Sequence, residues 1–321
     1  MIKKNICVVG AGNWGKNHIK TLHELSSLGG IVEKDESLRS SFKKKYPYLN
    51  TYSNLDQALG ANYDGFIVAT PAETHYSIAK SIILHKKSLL VEKPITLSVE
   101  HAESLVRLAK ENDVSLMVGH VLLFHPAIIK IKQIIDSGRI GQLQYIYSNR
   151  LNLGKVRTEE NVFWSLAPHD ISIFQYFTNS YPLKVNATGS TFLQEGIPDS
   201  TLTTMQYENG ISGHIFVSWL HPFKEHRLVV IGSEAMISFE DSLEGKPLTL
   251  YSKKINLVDG IPEKIDGPKE KITYDNIMPL TAEIEYFINH LDNNKPTIAN
   301  GQNGLEVVKI LVDASSQLEL K

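Results

Sequence analysis

Lys93 stands in "VEKPIT", Val91 to Thr96, directly after the apolar run "KKSLL". Pro94 donates no ladder hydrogen bond, so the strand is expected to stop there, leaving the lysine at its mouth. A lysine so placed can hydrogen-bond a reacting hydroxyl, and nearby charge and partial burial can lower its pKa. A solvated surface is the commoner fate of a single lysine. A residue of complementary chemistry stands in "FWSLAPHDISIF", where His169 follows a proline in a polar break. Its unperturbed pKa lies near neutrality, so Lys93 and His169 together suit proton transfer at an alcohol. Taken singly, His169 has a structural alternative, and Asp170 beside it suits a helix cap. The chain has twelve histidines but no H-E-x-x-H and no G-x-S-x-G, so neither a metal nor a serine nucleophile is implied.

The loop "VVGAGNWGKNH" places glycines at 10, 12 and 15, with Asn13 and Trp14 between them. Alone this spacing is weak; here an apolar run precedes it and a helical pattern follows, the context that dinucleotide binding requires. Gly10 is read as the tight turn, Gly12 as the approach point of a pyrophosphate, and Gly15 as the helix-packing residue. Glu33, in "VEKDES" about 20 residues on, is where an acid bonds ribose hydroxyls and disfavours a 2′-phosphate. Lys34 offers a phosphate partner instead, and Asp35 suits a cap. NAD is favoured, with NADP still open. Thr70 and Pro71 of "ATPAETH" end another strand and should border the cofactor, as should Glu92 and His120 at strand ends. Pro71 also suits the first turn of a helix. His75 joins the same group, with a surface helix position as its alternative and no catalytic role assigned.

These residues need a frame. Through residue 121 the chain alternates short apolar runs with helical patterns of 10–15 residues, which implies a doubly wound parallel sheet. Residues 122–321 change grammar: Pro126 opens a helix, strand-like runs dominate about 142–275, and two helices close the chain. Successive strands with short turns, among them "YENGIS" with its Asn-Gly signal, imply an open, mainly antiparallel sheet in an α+β domain. Two domains fit the 321 residues, and 42% hydrophobic with 21% charged is ordinary for a soluble protein. The formal charge of -2 gives no reason to expect nucleic acid or an anionic membrane, and no run is long enough to span one. The lone Cys7 is read as a core residue, and its isolation favours a reducing, cytoplasmic location.

The strand-linked "GAGNWG", the "ATPAETH" turn, "VEKP" and the later His169 together resemble the glucose-fructose oxidoreductase, inositol dehydrogenase and rhizopine-catabolism (Gfo/Idh/MocA) family. The resemblance covers nearly the whole chain. It implies that Lys93 contacts the hydroxyl being oxidised, that His169 moves its proton, and that NAD or NADP takes the hydride. It also implies a homo-oligomer, a dimer or tetramer built through the open sheet's other face. Two departures stand out: Ser165 occupies the place of an acid common four residues before the histidine, and Val121 and Leu123 replace a common Asn and Arg. The stretches "GHVLLFHPA" and "NRLNLGKVRTEENVFW" resemble a subgroup of bacterial surface-polysaccharide and nucleotide-sugar synthesis, near UDP-N-acetylglucosaminuronate 3-dehydrogenases. Arg150, Lys155 and Arg157 would then meet a sugar carboxylate or diphosphate, or form only an exposed basic loop. Asn152 and Trp164 would meet a sugar's hydroxyls and apolar face. A keto-sugar reductase using NADPH, running the other way, and a dinucleotide-sensing regulator are the alternatives.

Overall fold

The computed structural model describes residues 4–292 and 294–318. They form two compact units, one of residues 1–124 with 277–309, the other of 125–276 with 310–321. The expected single boundary at 121 misses this return. Residues 277–309 rejoin the first unit because the helix Pro279–Asn289 buries Ile284 and Phe287 and packs on the first helix of the chain.

The first unit runs β1 (Ile6–Val9), α1 (Gly15–Glu24), β2 (Leu28–Val32), α2 (Glu36–Lys45), β3 (Asn50–Tyr52), α3 (Leu55–Leu59), β4 (Gly65–Val68), α4 (His75–Leu84), β5 (Ser88–Glu92), α5 (Val99–Glu111) and β6 (Leu116–Gly119). All six strands pair parallel in the order β3-β2-β1-β4-β5-β6. β1, β4 and β6 are buried throughout, as strands covered on both faces must be. The order reverses between β1 and β4, and ligands of such sheets lie at that switch, beyond the strands' carboxyl ends. Helix starts follow the expected chemistry: Asp35 accepts from the Leu38 amide (3.0 Å), and Ser98 from that of His101 (3.3 Å).

The second unit holds α6 (Pro126–Asp136), β7 (Leu143–Leu151), α7 (Val162–Leu166), α8 (Pro168–Thr178), β8 (Lys184–Ser190), β9 (Ser200–Gln206), β10 (Ser212–Ser218), β11 (Glu225–Gly232), β12 (Met236–Glu240), β13 (Leu248–Tyr251), β14 (Lys254–Val258), β15 (Ile261–Ile265) and β16 (Lys269–Ile272). The helix at Pro279–Asn289 is α9, and α10 (Gly301–Leu318) ends the chain. Eight strands form one sheet, β16-β13-β12-β11-β7-β10-β9-β8, while β14 and β15 pair separately. β9 alternates buried and exposed residues, so one face is packed, by α7 and α8, and the other is open. The "YENGIS" turn forms as read, with Asn209 and Gly210 both at positive φ between antiparallel β9 and β10. One pair of this sheet is parallel, β10 beside β7, a strand more than 60 residues earlier; β11 also pairs back to β7, and β16 to β13, both antiparallel. No helix among the described residues is long and apolar enough to cross a membrane.

Candidate functional site

The glycine loop leaves β1 and enters α1. At Gly10 φ is +92°, and a Cβ there would stand 2.8 Å from the Ala69 carbonyl oxygen. A Cβ at Gly15 would meet the Gly10 carbonyl at 2.0 Å, so the helix can close on the loop only through glycine. At Gly12 the space is open for at least 4 Å, and the residue is exposed beside exposed Asn13 and Trp14. An open backbone leading into a helix N-terminus is the shape a pyrophosphate takes. Glu33 follows β2, and its carboxylate accepts from the Ala11 amide (2.8 Å) and the Asp35 amide (3.1 Å). This ties the ribose-side acid to the glycine loop. Asp35 itself is a cap, and Lys34 is exposed.

Glu92, the last residue of β5, joins three elements. One oxygen of its carboxylate, Oε1, accepts from the Trp14 indole and lies 2.7 Å from His18 Nε2. The other, Oε2, accepts from the Lys93 amide at 3.2 Å. The same carboxylate lies against Gly119 of β6, where an added Cβ would be 2.8 Å from Oε2. Trp14 and His18 are four residues apart on α1 and so share a face. His18 is a residue that attention to the glycines alone passes over; the i,i+4 spacing is its signal.

His75 is buried rather than on a helix surface. Its Nδ1 lies 2.8 Å from the Pro94 carbonyl oxygen and its Nε2 2.9 Å from that of Thr70. Both nitrogens thereby face carbonyl oxygens of the chain itself, at the turns that end β4 and β5. Thr70 receives the Thr74 hydroxyl (2.7 Å), and Pro71 starts a short 3₁₀ turn at Ala72–Thr74. His120, just past β6, is 1% exposed, and neither ring nitrogen has a hydrogen-bond partner among the described residues. Burial and the Lys93 charge push its pKa down to about 3, so the ring is neutral.

A further acid enters from α9. Glu283 is fully buried, and neither carboxyl oxygen is hydrogen-bonded among the described residues. Burial, followed by the Glu92 charge, raises its pKa well above the carboxylate range, so it holds its proton. In sequence it shares the core phase of Ile284 and Phe287, and an acid in that phase is the signal for it.

In the second unit His169 is the second residue of α8, half-buried. Asp170 beside it is the third residue of α8 rather than its N-cap, and it holds Arg150 of β7 in a bidentate pair, Nε to Oδ2 at 2.7 Å and Nη2 to Oδ1 at 3.0 Å. Burial opposes the Arg150 charge and the Asp170 carboxylate more than offsets it, raising the arginine's pKa. The expectation of a substrate-facing cation at Arg150 therefore meets a guanidinium already committed within its own unit. Lys155 and Arg157 are exposed in an irregular segment after β7, Arg157 lying 3.9 Å from Glu160. Asn152 donates its backbone N–H to Ser218 O (3.1 Å), and the half-buried Trp164 donates its indole N–H to Ser315 (2.8 Å).

Thus the carboxyl ends of β1, β2, β4, β5 and β6 gather Gly10, Gly12, Gly15, Glu33, Thr70, Glu92, Lys93 and His120 at one edge of the parallel sheet. His169, Arg150, Asn152, Lys155, Arg157 and Trp164 belong to the second unit.

Comparison with known proteins agrees with this architecture. Residues 4–120 match the model of an oxidoreductase family with an NAD-binding Rossmann fold, and residues 128–238 match the Gfo/Idh/MocA C-terminal domain. UDP-N-acetylglucosamine 3-dehydrogenase of Acidithiobacillus ferrooxidans is 26% identical over 326 residues, covering 99% of this chain and 100% of its own. A solved structure of that enzyme superposes with a TM-score of 0.87 at 25% identity, covering 99% of this chain and 98% of its own. A scyllo-inositol 2-dehydrogenase (NAD(+)) of Bacillus subtilis is 29% identical over 211 residues, 62% of this chain and 61% of its own. With both halves matched in order, the chain belongs to the Gfo/Idh/MocA family of oxidoreductases and begins with an NAD-binding Rossmann domain.

Proposed function

We propose that this oxidoreductase oxidises a ring hydroxyl of a nucleotide sugar of the UDP-N-acetylhexosamine class, in a reducing cytoplasm and as a homo-oligomer. The observation that carries the reading is Lys93 at the carboxyl end of β5, its backbone fastened to a carboxylate that also fastens the cofactor loop. Full-length similarity to a UDP-N-acetylglucosamine 3-dehydrogenase supports the substrate class. The uronate form is less favoured, because Arg150 is paired with Asp170 and leaves Lys155 and Arg157 as the cations for a diphosphate or carboxylate.

Lys93 hydrogen-bonds the reacting oxygen and stabilises it as the proton leaves, and His169 accepts that proton. The bound dinucleotide supplies the hydride acceptor. Glu33 favours NAD through its position at the ribose. Neutral His120 adds no second positive charge beside Lys93, so the ammonium is the one cation that these two residues present.

The test is a nucleotide-sugar screen with NAD and NADP, followed by nicotinamide absorbance, on wild type and Lys93→Ala. The variant should bind NAD as wild type does and lose turnover by at least about 100-fold. Wild-type turnover in Lys93→Ala would remove the role assigned to Lys93. A protein that binds NAD but turns over no member of the panel would favour a dinucleotide sensor.

A further inference from the structure

We propose that His75 is a positioning residue for Lys93: it fastens the turn carrying the lysine to the neighbouring cofactor-side turn, and so sets where the ammonium stands. The proposal rests on the reading of Lys93 given above. Its evidence is geometric. His75 is 1% exposed at the start of α4, and its two ring nitrogens lie 2.8 and 2.9 Å from two carbonyl oxygens on separate strand ends. One belongs to Pro94, the residue after Lys93; the other belongs to Thr70, after β4. A carbonyl only accepts and a neutral imidazole carries a single N–H, so the ring donates to one of the two carbonyls and lies in polar contact with the other.

The lysine's backbone is consequently held on both sides. Its amide is bound by Glu92 Oε2 (3.2 Å), and the carbonyl of the next residue is bound by His75. The Glu92 anchor leads to Trp14 and His18 on α1, while the His75 anchor leads to the Thr70 turn. Two anchors, Glu92 of β5 and His75 of α4, leave the short connection after β5 little freedom to swing, and reaction geometry is sensitive to shifts of that kind. His75 has no opening to solvent that would suit it to ligand contact, and burying a ring with two polar atoms costs free energy unless both are bonded. Bracing the turn accounts for the placement of the ring between the two carbonyls.

The experiment compares His75→Phe, which keeps a ring without nitrogens, with His75→Gln, whose amide can restore one bond. Four quantities are measured: thermal stability, the dissociation constant for NAD, turnover on the sugar found by the screen, and the rate at which an amine-acylating reagent labels Lys93, followed by mass spectrometry. In His75→Phe the Lys93 labelling rate should change by more than about threefold and kcat should fall about 10- to 100-fold, while NAD binding stays within about twofold. His75→Gln should lie between Phe and wild type in both. Unchanged Lys93 labelling in a His75→Phe protein that binds NAD normally would overturn the proposal. Parallel loss of NAD binding and thermal stability would overturn it too, since His75 would then serve the fold in general. A changed labelling rate with unchanged kcat would keep His75 as the brace and instead refute the chemistry assigned to Lys93.

Discussion

Glu283 shows what one buried proton does to stability. Its carboxyl is fully enclosed and close enough to Glu92 that a second negative charge is disfavoured. The folded pKa lies above the ordinary value of 4.5, so the folded state keeps a proton that the unfolded state has lost. The stability it contributes is present below pH 4.5 and is lost as pH rises toward the folded pKa, by up to about 1.4 kcal/mol per pH unit. Glu283→Gln keeps the shape and removes the titration. Thermal melts should show the variant gaining on wild type as pH rises above the ordinary value of 4.5. A constant difference across that range would mean that Glu283 does not hold its proton. The glycine loop and the place of Lys93 at a strand end could be read from sequence because both lie in local strand-loop grammar. Glu283 and His18 could be noticed only by phase, because what makes them special is the distant Glu92 they surround.

At the scale of elements, Glu92 is what makes the glycine loop, β5 and β6 one piece. Its carboxylate takes the Trp14 indole and approaches His18, so α1 is oriented by a charge at the end of a different strand. Hydrogen bonds to a charged acceptor contribute about 1.5–3 kcal/mol, and a glutamine there would turn an N–H group toward another donor. Glu92→Gln should therefore weaken NAD binding about tenfold in a calorimetric titration. Binding within twofold of wild type would show that the loop holds its shape without this anchor. The caps at Asp35 and Ser98 and the Asn209–Gly210 turn were legible because each is a contact within four residues. β3, with no residue buried, and the exposed hairpin β14–β15 were not, since neither carries an apolar strand pattern facing a core.

Across the molecule, the pairing of Arg150 with Asp170 spans from the middle strand β7 to α8 and holds the helix that bears His169 against its sheet. Removing one partner of such a buried pair leaves an uncompensated charge. Asp170→Ala should lose about 3–5 kcal/mol in urea unfolding, and Arg150→Met with Asp170→Leu should recover much of it. A loss below about 1 kcal/mol in the single variant would show that water reaches the guanidinium and replaces the acid.

The sequence alone determined the class of each half and the glycine loop of the NAD-binding domain, because apolar periodicity, glycine spacing and proline placement act over a few residues. Only the tertiary structure decided that β10 pairs parallel with β7 and that residues 277–309 return to the first unit. It also decided that Arg150 is paired with Asp170, and that the buried His75 ring lies between the Pro94 and Thr70 carbonyls. Each of these depends on partners far apart along the chain, and composition and spacing carry no record of which partner a buried polar group will meet. "VEKPIT" contains both kinds of information: its lysine was legible at a strand end, while the partners of Glu92 and Pro94 on either side of it are supplied by residues 14, 18 and 75.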